Sequence, residues 1–330
     1  MKQPAFLVIL LTVYAVAALD TATLRRELKP LDLSRPPECS PAQKAYCAFY
    51  GMDFPDCRHW IGAIRSGPYS VAAQVFQPDS SKGTIVFIHG LYDHTGLLKN
   101  IVRKSLDRSW SFAAIDLPGH GLSSGKRASI VDFMEYRDAL RDFLAAIEPL
   151  CKGPVILAGH STGCAVVYEY LATCKGPAIA RAVFAAPLVR SAFWNLGKLG
   201  YHLHRPFSLK NKRWYRKSSH DTAFLAFQKK DPLSIGTFPL EWAEALYVWE
   251  RRVRGYPVIS VPCVVIQGDH DGTVNWRYNC RFLKKKYRPC AVHYIKNARH
   301  HLINESEPYR SRFMELFFKA IENQQGKDGK

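Results

Sequence analysis

The chain has 330 residues, 47% of them hydrophobic and 22% charged, with 7 Trp, 16 Tyr and 18 Phe. This composition excludes intrinsic disorder, collagen-like repeats and coiled coils, and the length leaves room for one large core or a core with an insertion. Lys and Arg exceed Asp and Glu by 46 − 28 = 18, a balance that favours polyanions, anionic membrane surfaces or acidic substrates and says nothing about fold.

Lys2 precedes an apolar run from Ala5 to Leu19 that closes in Ala15-Val16-Ala17-Ala18. Residues 1–18 therefore read as a secretory signal peptide, and the chain as exported, periplasmic or secreted. The alternative is an N-terminal membrane anchor, although the run is shorter than the roughly 20 residues a span needs. Export would place the nine cysteines where disulfides persist. Their odd number leaves at least one thiol free; Cys164 is the expected free thiol, and Cys280–Cys290 and Cys151–Cys174 are the expected bridges. No C-x-x-C or clustered Cys/His spacing occurs, so no metal is expected.

Residues 19–55 carry Pro30, Pro36, Pro37 and Pro41, which predict an extended arm, pinned by Cys39, Cys47 or Cys57. Short apolar runs then alternate with helical stretches: His59–Ile64, Ser70–Phe76, Thr84–Ile88, Phe112–Ile115, Val155–Ala158, Ala182–Ala185, Cys263–Gln267 and Ala291–Ile295. Runs as continuous as Ile85-Val86-Phe87-Ile88 suit strands covered on both faces. The pattern predicts an α/β fold, a mostly parallel eight-stranded sheet flanked by helices. The first two runs are joined by Arg65-Ser66-Gly67-Pro68, a turn signal compatible with an antiparallel hairpin at one edge. The strand signal lapses from Leu188 to Pro257, where Ser191–Tyr201 mixes aromatic and basic residues and Pro239–Arg254 carries apolar residues near helical spacing. The expected organisation is a core over 56–187 and 259–330, with a helical cap over 188–258.

The segment Val155–Tyr170 reads strand, Gly159-His160-Ser161-Thr162-Gly163, helix, which is the setting of a nucleophile elbow. Small residues at Gly159 and Gly163 let strand and helix approach closely enough to lift the Ser161 hydroxyl clear of the sheet. A serine needs a base oriented by an acid, and in this arrangement the acid precedes the histidine in the chain. Both appear after later strands, in Gly268-Asp269-His270-Asp271-Gly272 and in Asn297-Ala298-Arg299-His300-His301. Spacing alone leaves Asp269 beside Asp271, and His301 beside His300. The amide of Thr162 and that of Leu91, in His89-Gly90-Leu91-Tyr92-Asp93-His94, are placed to hold an oxyanion.

With Asp116-Leu117-Pro118-Gly119-His120-Gly121-Leu122-Ser123-Ser124-Gly125, Asp231-Pro232-Leu233 and His300–Glu305, these motifs resemble the monoglyceride lipase and lysophospholipase-like branch of the α/β-hydrolases, grouped with serine aminopeptidases. The resemblance covers Tyr69 to the C-terminus. It implies an α/β-hydrolase fold, a catalytic set of Ser161, Asp271 and His300, oxyanion amides on Leu91 and Thr162, and a serine esterase that needs no cofactor. Cys164 and His301 depart from the family pattern.

The cap interleaves Phe193, Trp194, Leu196, Leu199, Tyr201 and Phe207 with basic residues, so Phe193, Trp194 and Leu196 are its expected substrate contacts, joined by Tyr92 from the His89–His94 loop. The expected substrate is a small acyl-ester lipid, monoacylglycerol or lysophospholipid, with a basic cap suited to an anionic membrane surface. A peptidase, with Glu241 or Glu244 holding a free amine, and a catalytically silent exported binding protein are the alternatives. Nothing resembles a nucleic-acid recognition motif.

Overall fold

The computed structural model describes residues 19–208 and 210–322; the expected signal peptide, 1–18, lies outside the described residues. The strands are β1 (Cys57–Ser66), β2 (Tyr69–Pro78), β3 (Thr84–Ile88), β4 (Ser111–Ile115), β5 (Val155–His160), β6 (Ile179–Ala185), β7 (Lys210–Lys212), β8 (Thr237–Pro239), β9 (Cys263–Gly268) and β10 (Cys290–Ile295). Eight of them form one sheet in the order β1-β2-β4-β3-β5-β6-β9-β10, with β7 and β8 paired separately. The pairs β1–β2 and β2–β4 are antiparallel, and every other neighbour in the large sheet is parallel. This is the α/β-hydrolase architecture, and all eight apolar runs are its strands.

The helices are α1 (Thr21–Arg26), α2 (Pro41–Tyr50), α3 (Lys99–Leu106), α4 (Phe133–Ile147), α5 (Thr162–Thr173), α6 (Trp194–His204), α7 (Thr222–Lys230), α8 (Leu240–Val253), α9 (Trp276–Lys286) and α10 (Tyr309–Glu322). Strands β3, β4 and β5 are buried at every position because helices cover both sheet faces. On α4 the buried residues Phe133, Tyr136, Leu140, Phe143 and Ile147 recur every three or four positions, and an Asp132–Glu135 capping box fixes its start. The sheet thus has two apolar layers, one toward α4, α5 and α8 and one toward α2, α3 and α10.

The arm is not simply extended. Ser40 and Gln43 form a capping box around Pro41, which as the first helical residue starts α2 rather than breaking it. Tyr46, Tyr50 and Met52 bury themselves against the core, and Tyr50 Oη donates to Asp231 Oδ1 at 2.7 Å.

Neither expected disulfide is formed, and all nine cysteines are free thiols. The register explains part of this: Cys290 on β10 lies directly opposite Cys263 on β9, while Cys280 is buried on α9. Cys151 follows the turn after α4, and Cys174 closes α5. Cys164 is buried, its Sγ 3.0 Å from the carbonyl oxygen of Gly159.

Candidate active site

Every candidate residue sits on a loop leaving the carboxyl end of a parallel strand: Leu91 after β3, Ser161 after β5, Asp271 after β9 and His300 after β10. Open parallel sheets place ligands at that edge. Ser161 has φ 52° and ψ −113°, a strained conformation for a residue with a Cβ. The strain is held by packing on both sides. A Cβ on Gly163 would stand 2.0 Å from the carbonyl oxygen of Ile88, and one on Gly159 would stand 2.6 Å from the Gly163 carbonyl carbon. Only glycine lets α5 start this close to β3 and β5.

Of the two candidate acids, Asp271 reaches the histidine: its Oδ2 is 2.7 Å from His300 Nδ1. The Asp271 carboxylate also accepts from the Thr273 amide at 2.7 Å, the Val274 amide at 3.2 Å and Gln267 Nε2 at 3.1 Å. Burial works against its charge, but His300 and these donors outweigh it and hold the carboxyl below its ordinary range. Asp269 is exposed and accepts instead from the Asn297 amide. His300 and His301 diverge, the second turning its Nε2 to Asp93.

The Gly90–Leu91 turn is braced from below. The Leu117 amide donates to His89 Nε2 at 2.9 Å, so Nδ1 carries the proton and donates to the Gly90 carbonyl at 2.7 Å. Gly90 abuts the elbow, since a Cβ there would lie 3.2 Å from Ser161 Cβ. Thr162 opens α5, whose first amides have no partner within the helix. A second brace ties the same loop to the cap: His94 Nε2 and Asp231 Oδ2 are 2.8 Å apart, both buried.

Leu91, Ser161, Thr162 and His300 line one cavity of about 540 Å³ between sheet and cap. Of the expected substrate contacts, Tyr92 and Phe193 line this cavity, whereas Trp194 and Leu196 do not. Helical spacing gives the reason. Phe193, Gly197, Gly200, Tyr201 and His204 share the cavity face of α6, which turns Leu196 (67% exposed) outward. Trp194 (5% exposed) packs instead against Tyr247, with their ring centroids 5.0 Å apart. Sequence reasoning missed Trp242, Leu246 and Arg213 as cavity residues. The first two had a signal in the helical periodicity of α8. Arg213 had none, as its guanidinium is buried by stacking over Tyr92 at 4.0 Å and Tyr215 at 4.4 Å.

The family model for serine aminopeptidase, S33, matches residues 79–307. The chain belongs to this family. Together with its relatives, this makes the protein an α/β-hydrolase of the monoglyceride-lipase-like branch. A monoacylglycerol lipase of Mycolicibacterium smegmatis is 26% identical over 64% of this chain and 76% of its own. Phospholipase YtpA of Bacillus subtilis is 28% identical over 34% of this chain and 43% of its own. Among solved structures, a soluble variant of monoglyceride lipase from Saccharomyces cerevisiae, in complex with a substrate analogue, superposes with a TM-score of 0.68 at 14% identity. It covers 79% of this hydrolase, which covers 94% of it. The Paleococcus ferrophilus monoacylglycerol lipase gives a TM-score of 0.65 at 19% identity, with coverages of 76% and 98%. At such identities the structural likeness establishes the fold.

Proposed function

We propose that this hydrolase cleaves carboxylic esters of single-chain lipids, monoacylglycerol or lysophospholipid, through an acyl-enzyme on Ser161. The observation that carries the reading is the strained Ser161 elbow opening on the same apolar-walled cavity as a His300 held at 2.7 Å by Asp271. With Nδ1 engaged by the acid, His300 Nε2 is the nitrogen left to act as base. It takes the Ser161 proton as Oγ attacks the ester carbonyl, and the amides of Leu91 and Thr162 receive the oxyanion. Collapse breaks the bond to the alkoxy oxygen, which His300 protonates. Water, deprotonated by His300 in turn, attacks the acyl-enzyme and frees the acid and the Ser161 hydroxyl.

The cavity walls support an acyl chain: Leu188, Phe193, Leu240, Trp242 and Leu246 are apolar. The peptidase alternative loses its amine anchor. Glu241 is bound to Lys126 and Ser129, Glu244 pairs with Arg205 at 3.6 Å, and neither lines the cavity. The outer face supports docking on an anionic membrane. Leu196, Leu199, Leu203, Phe207 (88% exposed) and Trp214 (85% exposed) project among the exposed cations of Arg205, Lys210, Lys212, Arg216 and Lys217. The leader-like residues 1–18 support export, which N-terminal sequencing of the mature protein tests.

The decisive experiment is labelling with a fluorophosphonate followed by peptide mapping. The label belongs on Ser161 and disappears in His300→Ala; a label elsewhere, or none, overturns the assignment. A panel of acylglycerols, lysophospholipids and aminoacyl amides then separates esterase from peptidase. Turnover of no member, with ligand binding intact in Ser161→Ala, would favour a silent binding protein.

A further inference from the structure

Three polar side chains outside the proposed triad converge behind the oxyanion turn. Asp93 follows β3, His160 ends β5 and His301 adjoins His300; a carboxylate oxygen and two ring nitrogens from them lie within 4.8 Å of one another. All three are buried, with side chains no more than 5% exposed. His160 Nδ1 is 3.3 Å from Asp93 Oδ2, and His301 Nε2 is 3.2 Å from each carboxylate oxygen.

The proton on His160 is the telling detail. Its Nε2 lies 3.1 Å from the backbone oxygen of His300, a pure acceptor, so Nε2 carries the hydrogen. In the neutral ring Nδ1 then turns a lone pair toward a carboxylate, and it has no hydrogen-bond partner among the described residues. Two acceptors in that position repel unless a proton or a metal cation lies between them, and burial, which pushes the His160 ring down to about 4, disfavours the proton. From Asp93 Oδ2 the two ring nitrogens stand 3.2 and 3.3 Å away, near the ligand–ligand separation around an ion bound at about 2.0–2.1 Å, and the three donor atoms together stay within 4.8 Å.

We propose that Asp93, His160 and His301 bind one divalent first-row transition metal ion, the lone pair of His160 Nδ1 and the Asp93 carboxylate converging on it. Two imidazoles and a carboxylate form a donor set that zinc and ferrous iron accept. All three residues line the cavity, which leaves a remaining coordination position open to water or an oxygen ligand. Gln228 Nε2, 3.2 Å from Asp93 Oδ1, steadies the carboxylate from outside. Arg213, the other cation bearing on Asp93, remains engaged with Ser234, Ile235 and two aromatic rings. No C-x-x-C-like spacing announces this site, because its residues come from three segments more than sixty positions apart, His160 from the end of β5 and the others from loops. It rests on these side chains and not on the hydrolytic reading.

Chelator-treated protein titrated calorimetrically with Zn²⁺ is expected to bind about one equivalent per chain. His301→Ala and Asp93→Asn, each verified as folded by near-ultraviolet circular dichroism, are expected to lose more than about a hundredfold in affinity, since disturbing outer-shell groups alone costs 10–100-fold. X-ray absorption on the wild-type zinc form is expected to give imidazole scattering and nitrogen or oxygen at about 2.0–2.1 Å. Three outcomes would each overturn the proposal: no saturable zinc binding, a sulfur shell that assigns the ion to cysteines, or unchanged affinity in the folded variants. None of these readouts requires turnover, so failure here leaves the hydrolase assignment standing.

Discussion

His300 and His301, neighbours in the chain, point to different carboxylates: the first places Nδ1 2.7 Å from Asp271, the second places Nε2 3.2 Å from Asp93. The proposed mechanism draws on the first imidazole, and the second is engaged by Asp93 instead. The same contrast separates the two acids, because Asp269 is spent on the Asn297 amide.

Asp271→Asn is accordingly expected to lower kcat for an acyl ester by about 10²–10⁴, through loss of the tautomer that leaves His300 Nε2 able to accept a proton. Asp269→Asn, which removes only a charge from an exposed turn, is expected to stay within about twofold of wild type. Steady-state kinetics on both variants checks the pair, and the reverse order would exchange the roles of the two residues.

A methyl group on Gly90 separates an oxyanion role from a purely structural one. The new Cβ would lie 2.9 Å from His160 Nδ1, 3.1 Å from Asp93 Oδ2 and 3.2 Å from Ser161 Cβ, so the turn must retreat from the elbow and carry the Leu91 amide with it. Gly90→Ala is expected to fold and to lose on the order of 10² or more in kcat, the effect of a misplaced oxyanion donor, with little change in KM. Gly163→Ala is a harsher change: its Cβ would stand 2.0 Å from a backbone oxygen, and low soluble expression is the expected readout.

The sheet was legible in the sequence because its strands are buried on both faces, so each run is apolar at consecutive positions and bounded by turn residues. The elbow and the acid and histidine loops were legible because the strained turn imposes Gly159 and Gly163, and because the strand order fixes which loops share an edge. Three features were not. The arm was read as extended because Pro41 discourages helix in general, yet at the first helical position it favours one. The cavity face of α6 was not legible at Trp194 and Leu196 because a helix that is apolar on both faces does not say which one turns inward. The disulfides were misread because the nearness of two cysteines follows from register, and Cys290 on β10 meets Cys263.

The outward face of α6 gives a prediction that leaves the cavity untouched. Replacing Leu196, Leu199 and Leu203 together by Ser is expected to reduce binding to vesicles containing anionic lipid by about tenfold or more, since each buried apolar side chain contributes about 1.5–3 kcal/mol. Hydrolysis of a short-chain, fully soluble ester is expected to change little. Vesicle co-sedimentation at two salt concentrations checks both halves of the argument, because the basic residues on this face make binding weaken as salt rises. Equal loss on soluble and vesicle-borne substrate would instead assign these leucines to folding.

Acid sensitivity follows from desolvated histidines held as neutral rings outside the proposed triad, His120 against His89 and His59 on β1. Burial pushes His59 down to about 4, with its hydrogen bond to Gln74 only partly opposing, and pushes His120 down to about 3. Gln74 Nε2 donates to Tyr46 Oη at 3.0 Å, which turns its Oε1 to His59 Nε2 at 3.1 Å and leaves the His59 Nδ1 lone pair beside Cys47 Sγ at 3.8 Å. For both rings the native value lies below the unfolded one, near 6.5. Between those values the unfolded chain binds more protons, so stability is present above about pH 6.5 and is lost as pH falls toward 4. Each ring is expected to cost on the order of 2 kcal/mol between pH 7 and 5. His94, whose value the adjacent Asp231 raises despite burial, works the other way: its contribution is full below pH 6.5 and fades as pH rises above its native value. The net expectation is a lower urea midpoint at pH 5 than at pH 7 with an unchanged slope against denaturant, and a shallower pH dependence in His59→Gln. A wild-type midpoint flat across that range would mean that these rings take up protons without unfolding, and that their burial in the core is not maintained in solution.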